Sequence, residues 1–277
     1  MKSEGGRRKI TGEKGAHTVV KEEGKLNIYK NDDVVCPLCL SVDTTKIDYK
    51  DILPRLSKTT RFSNSKLDYW KCNTCDVEFN INPDYSELNE LYKERYRPKK
   101  ISWMRRLRWL IPYSNYNKRN LDFLKPILNE KGSVLDIGSS NGKFLYLLRA
   151  RGWKVFGVEP TKQYAEFANK FLRIKTFNGF FEDFKTDERF DLVTILLSLD
   201  HLRDPVSILK KIHLILNKGG HMFITLAINH PGYAMEHTFL FSEKSIYSLL
   251  EKTGFRVEKT IVYNEEAGNE IFVLARK

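Results

Sequence analysis

Long apolar runs are missing from this sequence of 277 residues. A helix that spans a membrane needs about 18 or more consecutive apolar residues, and the longest apolar candidate, Leu192 to Leu199, is far shorter. The first 25 residues carry many charges but not the apolar core of a secretory signal. These absences predict a protein that stays in the cytoplasm and has a flexible, charged tail over residues 1–25.

Cysteine is scarce, with four residues in the chain, and all four fall into two C-x-x-C pairs, Cys36/Cys39 and Cys72/Cys75. Four thiolates in two such pairs are what a closed tetrahedral zinc site requires, and a site without an open position for water is structural. Disulfides or a redox pair are the alternatives, but a reducing cytoplasm disfavours the first and neither pair opens a helix of a βαβ unit. We therefore predict a structural zinc-ribbon module over residues 26–95.

Acidic side chains are under-represented, at 35 against 47 basic ones, which gives a formal net charge of +12. The imbalance lies toward the amino terminus, because residues 1–131 hold 27 basic and 18 acidic side chains. Residues 97–119 contain eight basic side chains and no acidic one, and apolar residues from Ile101 to Ile111 recur at helical spacing. This pattern predicts a basic helical connector or cap over residues 96–131.

The connector has more than one interpretation. A linker helix docked on the following domain needs no ligand, since arginine stems cover apolar surface readily. A basic amphipathic helix with tryptophans also suits peripheral contact with an anionic membrane at its inner face, through residues 97–119. Binding of nucleic acid is less favoured, because no recognised reader motif accompanies the charge.

The segment from Val134 to Leu145 predicts a buried strand that turns over glycine into a helix. Ligands bind at such turns, because the backbone approaches closely at glycine and free N–H groups point outward. Glu159 follows the next predicted strand, 23 residues after Asp136, and an acid at about this distance holds a ribose diol. The second glycine of the G-x-G-x-x-G turn is missing, which argues against NAD. A nucleoside without phosphate but with an amino acid tail, such as S-adenosylmethionine, suits the turn better.

Predicted strands and helices alternate through the rest of the chain. Strands are expected at residues 134–137, 153–158, 174–177, 190–197 and 220–227, and helices at residues 115–128, 141–151, 161–171 and 205–216. Such alternation implies a parallel sheet with helices on both faces. Residues 255–262 and 270–275 predict a final antiparallel pair of strands.

Four stretches of the carboxyl-terminal half resemble the class I S-adenosylmethionine-dependent methyltransferases in order and spacing. They are Val134 to Leu145, Val155 to Pro160, Phe190 to Val193 with His201 to Pro205, and Leu216 to Gly220. The resemblance implies an α/β, Rossmann-like methyltransferase fold over residues 132–277, with a mostly parallel seven-stranded sheet and an antiparallel C-terminal strand. The zinc ribbon would be a second, small module.

The resemblance also implies which residues hold the donor. Asp136 would orient the methionine ammonium, although a strand-end acid that caps the turn is the structural alternative. Glu159 would take both ribose hydroxyls, adenine would lie near Glu182 and Asp183, and Leu197 would lie beneath the reacting methyl group. The full predicted set is Asp136, Gly138, Ser139, Ser140, Asn141, Gly142, Glu159, Pro160, Glu182, Asp183 and Leu197.

The stretch from Glu236 to Ser242 resembles zinc-ribbon methyltransferases of sugar biosynthesis, in which an adjoining Glu-His pair serves acid/base chemistry. By that resemblance His237 is the candidate general base and Glu236 its helper, with His201 as a second candidate. The implied acceptor is a sugar or glycan, nucleotide-linked or lipid-linked, methylated at oxygen or at carbon. Methylation of another small molecule or of a nucleic acid, and a binding protein without turnover, are the alternatives.

Overall fold

The computed structural model describes residues 29–30, 33–48, 50, 67–90, 114–229, 237–265 and 268–277. The predicted tail over residues 1–25 and residues 96–113 of the basic connector lie outside these ranges, so contact of the connector with a membrane stays a prediction. Among the described helices, none is both long enough and apolar enough to cross a membrane.

The amino-terminal part consists of short strands around the two cysteine pairs. Strands β3, β4 and β5 pair in antiparallel order, and β1 pairs with β2 in a small separate ladder. The elements are β1 (Tyr29–Lys30), β2 (Asp33–Val34), β3 (Thr44–Lys46), β4 (Tyr69–Cys72), β5 (Glu78–Asn80) and the helix α1 (Tyr85–Glu90).

The carboxyl-terminal half forms a seven-stranded sheet. Its strands are β6 (Ser133–Ile137), β7 (Lys154–Glu159), β8 (Lys175–Asn178), β9 (Phe190–Leu196), β10 (Leu216–Ile228), β12 (Arg256–Glu265) and β13 (Gly268–Arg276), in the spatial order β12-β13-β10-β9-β6-β7-β8. Five neighbouring strands are parallel, and β13 pairs antiparallel with β10 and β12. The predicted sheet with its antiparallel end is confirmed.

Helices cover this sheet on its two faces. They are α2 (Asn115–Leu128), α3 (Lys143–Arg149), α4 (Lys162–Lys170), α5 (Pro205–Ile215) and α6 (Glu243–Lys252), with a 3-10 turn at Leu199–His201. Successive residues of β9 point to opposite faces, so Leu192 packs with α2, α3 and α4 and Val193 packs with α5 and α6. This explains the near-continuous apolar run of β9 in the sequence.

Two predicted boundaries were wrong. The helix expected at residues 141–151 begins at Lys143, because Gly142 has a φ of +76° and belongs to the turn. The strand expected at residues 220–227 begins at Leu216, which pairs with Phe190 before the register of β10 against β9 shifts.

One short strand joins the two parts of the chain. Strand β11 (Phe239–Leu240) comes from the carboxyl-terminal half but pairs antiparallel with β5, which gives the sheet order β11-β5-β4-β3. Val77 and Phe79 of the cysteine-bearing part share an apolar core with Phe239 and Ile246. The two predicted modules therefore pack together through both backbone and side chains.

The aromatic side chains packed under α2 should contribute measurably to the free energy of unfolding. Phe223 is fully buried, stacks on Phe123 at 5.1 Å and meets Phe272 edge-on at 5.8 Å, measured between ring centroids. We expect Phe223→Ala to lower the free energy of unfolding by about 3 to 5 kcal/mol, because it leaves a cavity under the helix. Phe171→Ala is the control, since that ring is 59% exposed. Equal denaturant midpoints for the two variants would contradict the prediction.

Candidate active site

A crevice opens at the carboxyl ends of β6, β7 and β9, which is where parallel α/β sheets place their ligands. Six of the residues predicted to bind the methyl donor line the crevice, namely Gly138, Ser140, Glu159, Pro160, Glu182 and Leu197. The other predicted donor residues are not part of its lining, namely Asp136, Ser139, Asn141, Gly142 and Asp183. Tyr164 lines the crevice and was missed, although its place in the first turn of the helix after β7 was a usable signal.

Two glycines keep the turn after β6 close to the crevice. Gly138 has a φ of +74°, and a Cβ there would lie 2.5 Å from the Ser198 hydroxyl oxygen. Gly142 has a φ of +76°, and a Cβ there would lie 3.1 Å from the Cβ of Ala168. Side chains other than hydrogen rarely tolerate these backbone angles, so this tight path depends on glycine at both positions.

Glu159 ties the glycine turn to the next helix. One carboxylate oxygen accepts a hydrogen bond from the Ser140 N–H and the other from the Thr161 N–H, each at 2.8 Å. Burial raises the pKa of Glu159, while the hydrogen bonds from Thr161 and Ser140 act in the opposite direction. The Thr161 side chain bonds to the same carboxylate. Because a carboxylate has about four lone-pair positions, about one stays available for a ribose hydroxyl.

Asp136 lies just below the crevice, with 3% of its surface exposed. Its Oδ1 accepts a hydrogen bond from the Thr194 hydroxyl at 2.6 Å, on the neighbouring strand β9. The pKa of Asp136 is raised to about 7, chiefly by burial and also by the charge of Glu159, while the hydrogen bond from Thr194 acts in the opposite direction. Asp136 is therefore hydrogen-bonded to the neighbouring strand β9, and it directly precedes Ile137, which lines the crevice.

The two predicted histidines lie together. His201 ends the 3-10 turn and lines the crevice, and its ring centroid is 5.1 Å from that of His237. The Asp200 carboxylate lies between them, 3.8 Å from His201 Nε2 and 3.5 Å from His237 Nε2. We call Asp200, His201 and His237 the polar cluster. Glu236, the predicted helper, lies outside the described residues.

Sequence reasoning missed Asp200. Its place directly before His201, at the end of a buried strand, was the available signal. What the sequence did not reveal is that a second histidine, from a distant segment, would reach the same carboxylate.

Strand β5 holds the backbone of the polar cluster. The Asn80 N–H donates to the Thr238 carbonyl oxygen at 3.0 Å, and the Thr238 N–H donates to the Asp200 carbonyl oxygen at 3.1 Å. The Tyr69 hydroxyl on β4 donates to the His237 carbonyl oxygen at 2.5 Å. The cysteine-bearing part therefore fixes the position of His237 relative to Asp200.

Arg203 contacts aromatic rings of both the cysteine-bearing part and the crevice. The Arg203 guanidinium lies 5.0 Å from the Tyr85 ring and 5.5 Å from the ring of Phe180, which lines the crevice. Burial raises the pKa of Tyr85 to about 12, although the charge of Arg203 lowers it. An uncharged phenol and a cation thus stand at the crevice edge.

The four cysteines form one cluster, with all four sulfur atoms within 4.8 Å of one another. The short distances join the two pairs, at 3.6 Å between Cys36 and Cys75 and 3.5 Å between Cys39 and Cys72. Sulfur atoms bound to one zinc ion at about 2.3 Å lie about 3.8 Å apart, whereas a disulfide is far shorter. The hydrogen bond from Cys36 lowers the pKa of Cys75 to about 6. The geometry and the donor set fit a tetrahedral thiolate site.

Comparison with known proteins places this architecture in a family. A family model described as "Methyltransferase domain" matches residues 110–260, which is more than half of the chain and includes the crevice and the polar cluster. The chain belongs to this methyltransferase family. The predicted resemblance to S-adenosylmethionine-dependent methyltransferases is confirmed for the family and the fold.

The matches to curated relatives span only part of this methyltransferase and part of each relative. The chain is 30% identical over 147 residues to a tRNA U34 carboxymethyltransferase of Campylobacter fetus, which covers 48% of each chain. It is 26% identical over 148 residues to a ubiquinone biosynthesis O-methyltransferase of Coxiella burnetii, which covers 51% of this chain and 62% of the relative. The chain thus spans about half the length of the curated relatives it matches. Neither relative is named for a sugar, so the sugar acceptor stays a prediction.

Solved structures share the fold of the methyltransferase. The magnesium protoporphyrin IX methyltransferase of Synechocystis PCC 6803, with bound SAH, has a TM-score of 0.53 at 13% identity and covers 70% of this chain and 100% of its own. The glycopeptide N-methyltransferase MtfA, with bound S-adenosyl-L-homocysteine, has a TM-score of 0.50 at 17% identity. The match covers 59% of this chain and 90% of the MtfA chain. At such identities the likeness establishes the fold alone.

The raised pKa of Asp136 predicts how donor affinity of the methyltransferase depends on pH. An ammonium group near Asp136 favours the ionised carboxylate, so binding must release a proton below the pKa of about 7. Affinity for S-adenosylmethionine should therefore rise by up to about tenfold per pH unit below pH 7 and level off above it. Calorimetry across this pH range measures the effect, and Asp136→Asn should flatten it. A wild-type affinity that does not change with pH would contradict the assigned role.

Proposed function

We propose that the chain transfers the methyl group of S-adenosylmethionine to a hydroxyl oxygen of an acceptor that binds beside the polar cluster. The observation that carries this proposal is the position of His201, which lines the donor crevice and also belongs to the polar cluster. A donor in the crevice would bring its methyl group next to side chains that act on a proton of the acceptor. Methyl transfer requires the acceptor atom in line with the methyl carbon and the leaving sulfur, held away from water.

The donor would be held by the crevice walls. Glu159 would accept a hydrogen bond from the ribose diol at its remaining lone-pair position, and Asp136 would offer negative charge to the methionine ammonium. Phe180 and Glu182 line the side where adenine is expected, and Leu197 lines the side of the methyl group. Leu197 has a φ of +50°, and such backbone strain is found where a side chain must be held in one direction.

The polar cluster would lower the free-energy cost of removing the proton of the acceptor hydroxyl. Within it, His237 as general base with Glu236 as helper, and His201 as the second candidate, follow from the sequence and remain part of this proposal. Asp200 adds a carboxylate within 4 Å of both imidazoles. An oxygen acceptor is preferred over carbon, because its proton is the group such a cluster removes most readily.

For the acceptor we propose a sugar or glycan, nucleotide-linked or lipid-linked. Support comes from the resemblance of residues 236–242 and from Arg203, whose guanidinium lies between Tyr85 and Phe180 at the crevice edge. A planar cation beside aromatic rings suits the phosphate and ring faces of a glycosyl carrier. A nucleic-acid acceptor is the second candidate, favoured by the tRNA-modifying relative and by the net charge of +12.

We also propose that the cysteine cluster binds a structural zinc ion. Four clustered thiols, three of them buried, cannot all be charged without a cation to compensate them. Zinc with four protein ligands has no open position, so its contribution would be to hold β4 and β5.

Labelled donor tests the proposed function. S-adenosylmethionine should bind in calorimetry and NAD should not, and methyl-tritiated donor should label a sugar nucleotide or glycolipid in an acceptor screen. The screen also includes bulk tRNA and a phenolic quinone precursor, which represent the two curated relatives. Absence of S-adenosylmethionine binding would overturn the proposal, and label in tRNA alone would replace the sugar acceptor.

Substitution of His237 separates donor binding from the reaction. We expect His237→Gln to lower kcat by about 100-fold or more, the usual contribution of a positioned proton acceptor, with the affinity for S-adenosylmethionine unchanged. The control is His221→Gln, which alters a histidine bonded to Glu258 at 3.1 Å near the start of β10, away from the crevice. Full activity of the His237 variant on the identified acceptor would exclude this role.

Zinc content tests the cysteine cluster. At least one zinc ion per chain is expected by elemental analysis, and Cys72→Ser should lose one zinc ion together with several degrees of melting temperature, because metal binding contributes folding free energy. The same variant should lower kcat, because β5 positions the His237 segment. A chain that retains its melting temperature and activity without bound metal would refute this assignment.

A further inference from the structure

The nitrogen–oxygen distances within the polar cluster are longer than hydrogen bonds between its own members would be. The two nitrogen–oxygen distances, 3.8 Å to His201 and 3.5 Å to His237, exceed the range of a nitrogen–oxygen hydrogen bond. An ordinary pair in the same protein, His221 with Glu258, closes to 3.1 Å. The three donor atoms nevertheless all lie within 4.8 Å of one another.

Such distances are close to those between ligands of one metal ion. Nitrogen and oxygen atoms bound at about 2.1 Å to a common ion lie about 3 to 3.4 Å apart. The two nitrogen–oxygen distances would therefore have to shorten by a few tenths of an ångström, and a pair of ligand atoms at the 4.8 Å limit by more than about 1 Å. Two imidazoles and one carboxylate form a donor set for first-row divalent metals such as Zn²⁺, Mn²⁺ or Fe²⁺. We propose that Asp200, His201 and His237 bind a divalent cation next to the donor crevice.

The backbone around these ligands is held in place. Asp200 and His201 stand on one 3-10 turn that directly follows β9. The Thr238 N–H donates to the Asp200 carbonyl oxygen, and the Tyr69 hydroxyl donates to the carbonyl oxygen of His237. These bonds fix the two segments against each other, and a metal site requires such support.

The cluster is also open enough for catalysis. Its side chains are 15% to 22% exposed, and His201 faces the crevice. Three protein ligands leave coordination positions for an acceptor oxygen, which is the arrangement of catalytic rather than structural metal sites. The cysteine cluster, with four protein ligands, is the opposite case in the same chain.

The inference rests on the proposed methyl transfer and specifies how the cluster assists it. A cation that binds the acceptor hydroxyl lowers the pKa of that hydroxyl, so its O–H bond breaks and the proton leaves to water. The oxygen then forms a bond to the methyl carbon as the carbon–sulfur bond breaks, and S-adenosylhomocysteine is released. With a cation bound, the two imidazoles would act as its ligands, and the general-base role proposed above for His237 applies to a cluster that binds no metal.

Cobalt binding tests the site without any acceptor. The full chain, loaded with zinc at its cysteines, is titrated with Co²⁺ and followed by visible absorption and elemental analysis. We expect bound cobalt with weak visible bands and no thiolate charge-transfer band. His237→Ala, His201→Ala and Asp200→Ala should each weaken cobalt binding at least tenfold, whereas His221→Ala should not. Melting temperature and S-adenosylmethionine affinity of each variant establish that it is folded.

Three results would overturn the inference. They are no cobalt bound beyond the cysteine site, only the charge-transfer spectrum of cobalt on thiolates, or binding that all three cluster substitutions leave unchanged. If cobalt does not bind but the cluster variants still lose methyl transfer, the imidazoles act on the proton directly and the proposed function stands. If cobalt binds but S-adenosylmethionine does not, the proposed function fails and the metal site stands.

Discussion

The backbone hydrogen bonds between β5 and β11 connect the two halves of the protein at the place where chemistry is expected. They align Phe239 with Phe79 and Leu240 with Glu78, and the strand continues directly from His237 and Thr238. Thr238 also donates a hydrogen bond to the Asp200 carbonyl oxygen. The pairing of β11 with β5 therefore links the cysteine-bearing strands to the backbone of the polar cluster. Without β5, strand β11 would lose its ladder partner, and the segment that carries His237 would keep a single bridge, from Phe241 to Ile228 of β10, among the described strands.

This connection gives the amino-terminal part a role beyond its own stability. Cys72 ends β4 and Cys75 lies in the turn before β5, and these strands share an apolar core with α6 of the methyltransferase half. Lys252 of α6 donates to the Leu38 carbonyl oxygen beside the cysteines, which adds a polar contact to that core. A small module that buries little apolar surface by itself thus gains stability from the larger sheet.

Charge in the crevice is organised by burial. Asp136 and Glu159 are both at least nine-tenths shielded from water, and desolvation raises the pKa of each. Two carboxylates near one another in such a place favour a cationic ligand, because it relieves the repulsion that water no longer screens. S-adenosylmethionine carries an ammonium and a sulfonium, so its positive groups suit a site with two buried carboxylates.

The sequence by itself determined the sheet, the glycine turn and the cysteine pairs, because each depends on short-range features. Alternation of apolar runs with helical spacing predicted the seven strands, and glycine at residues 138 and 142 predicted the turn. Only the tertiary structure decided that Asp200, His201 and His237 meet and that β11 belongs to the sheet of the cysteine-bearing part. These contacts join segments far apart in the chain through backbone hydrogen bonds, which any residue except proline can donate, so no local pattern of side chains records them.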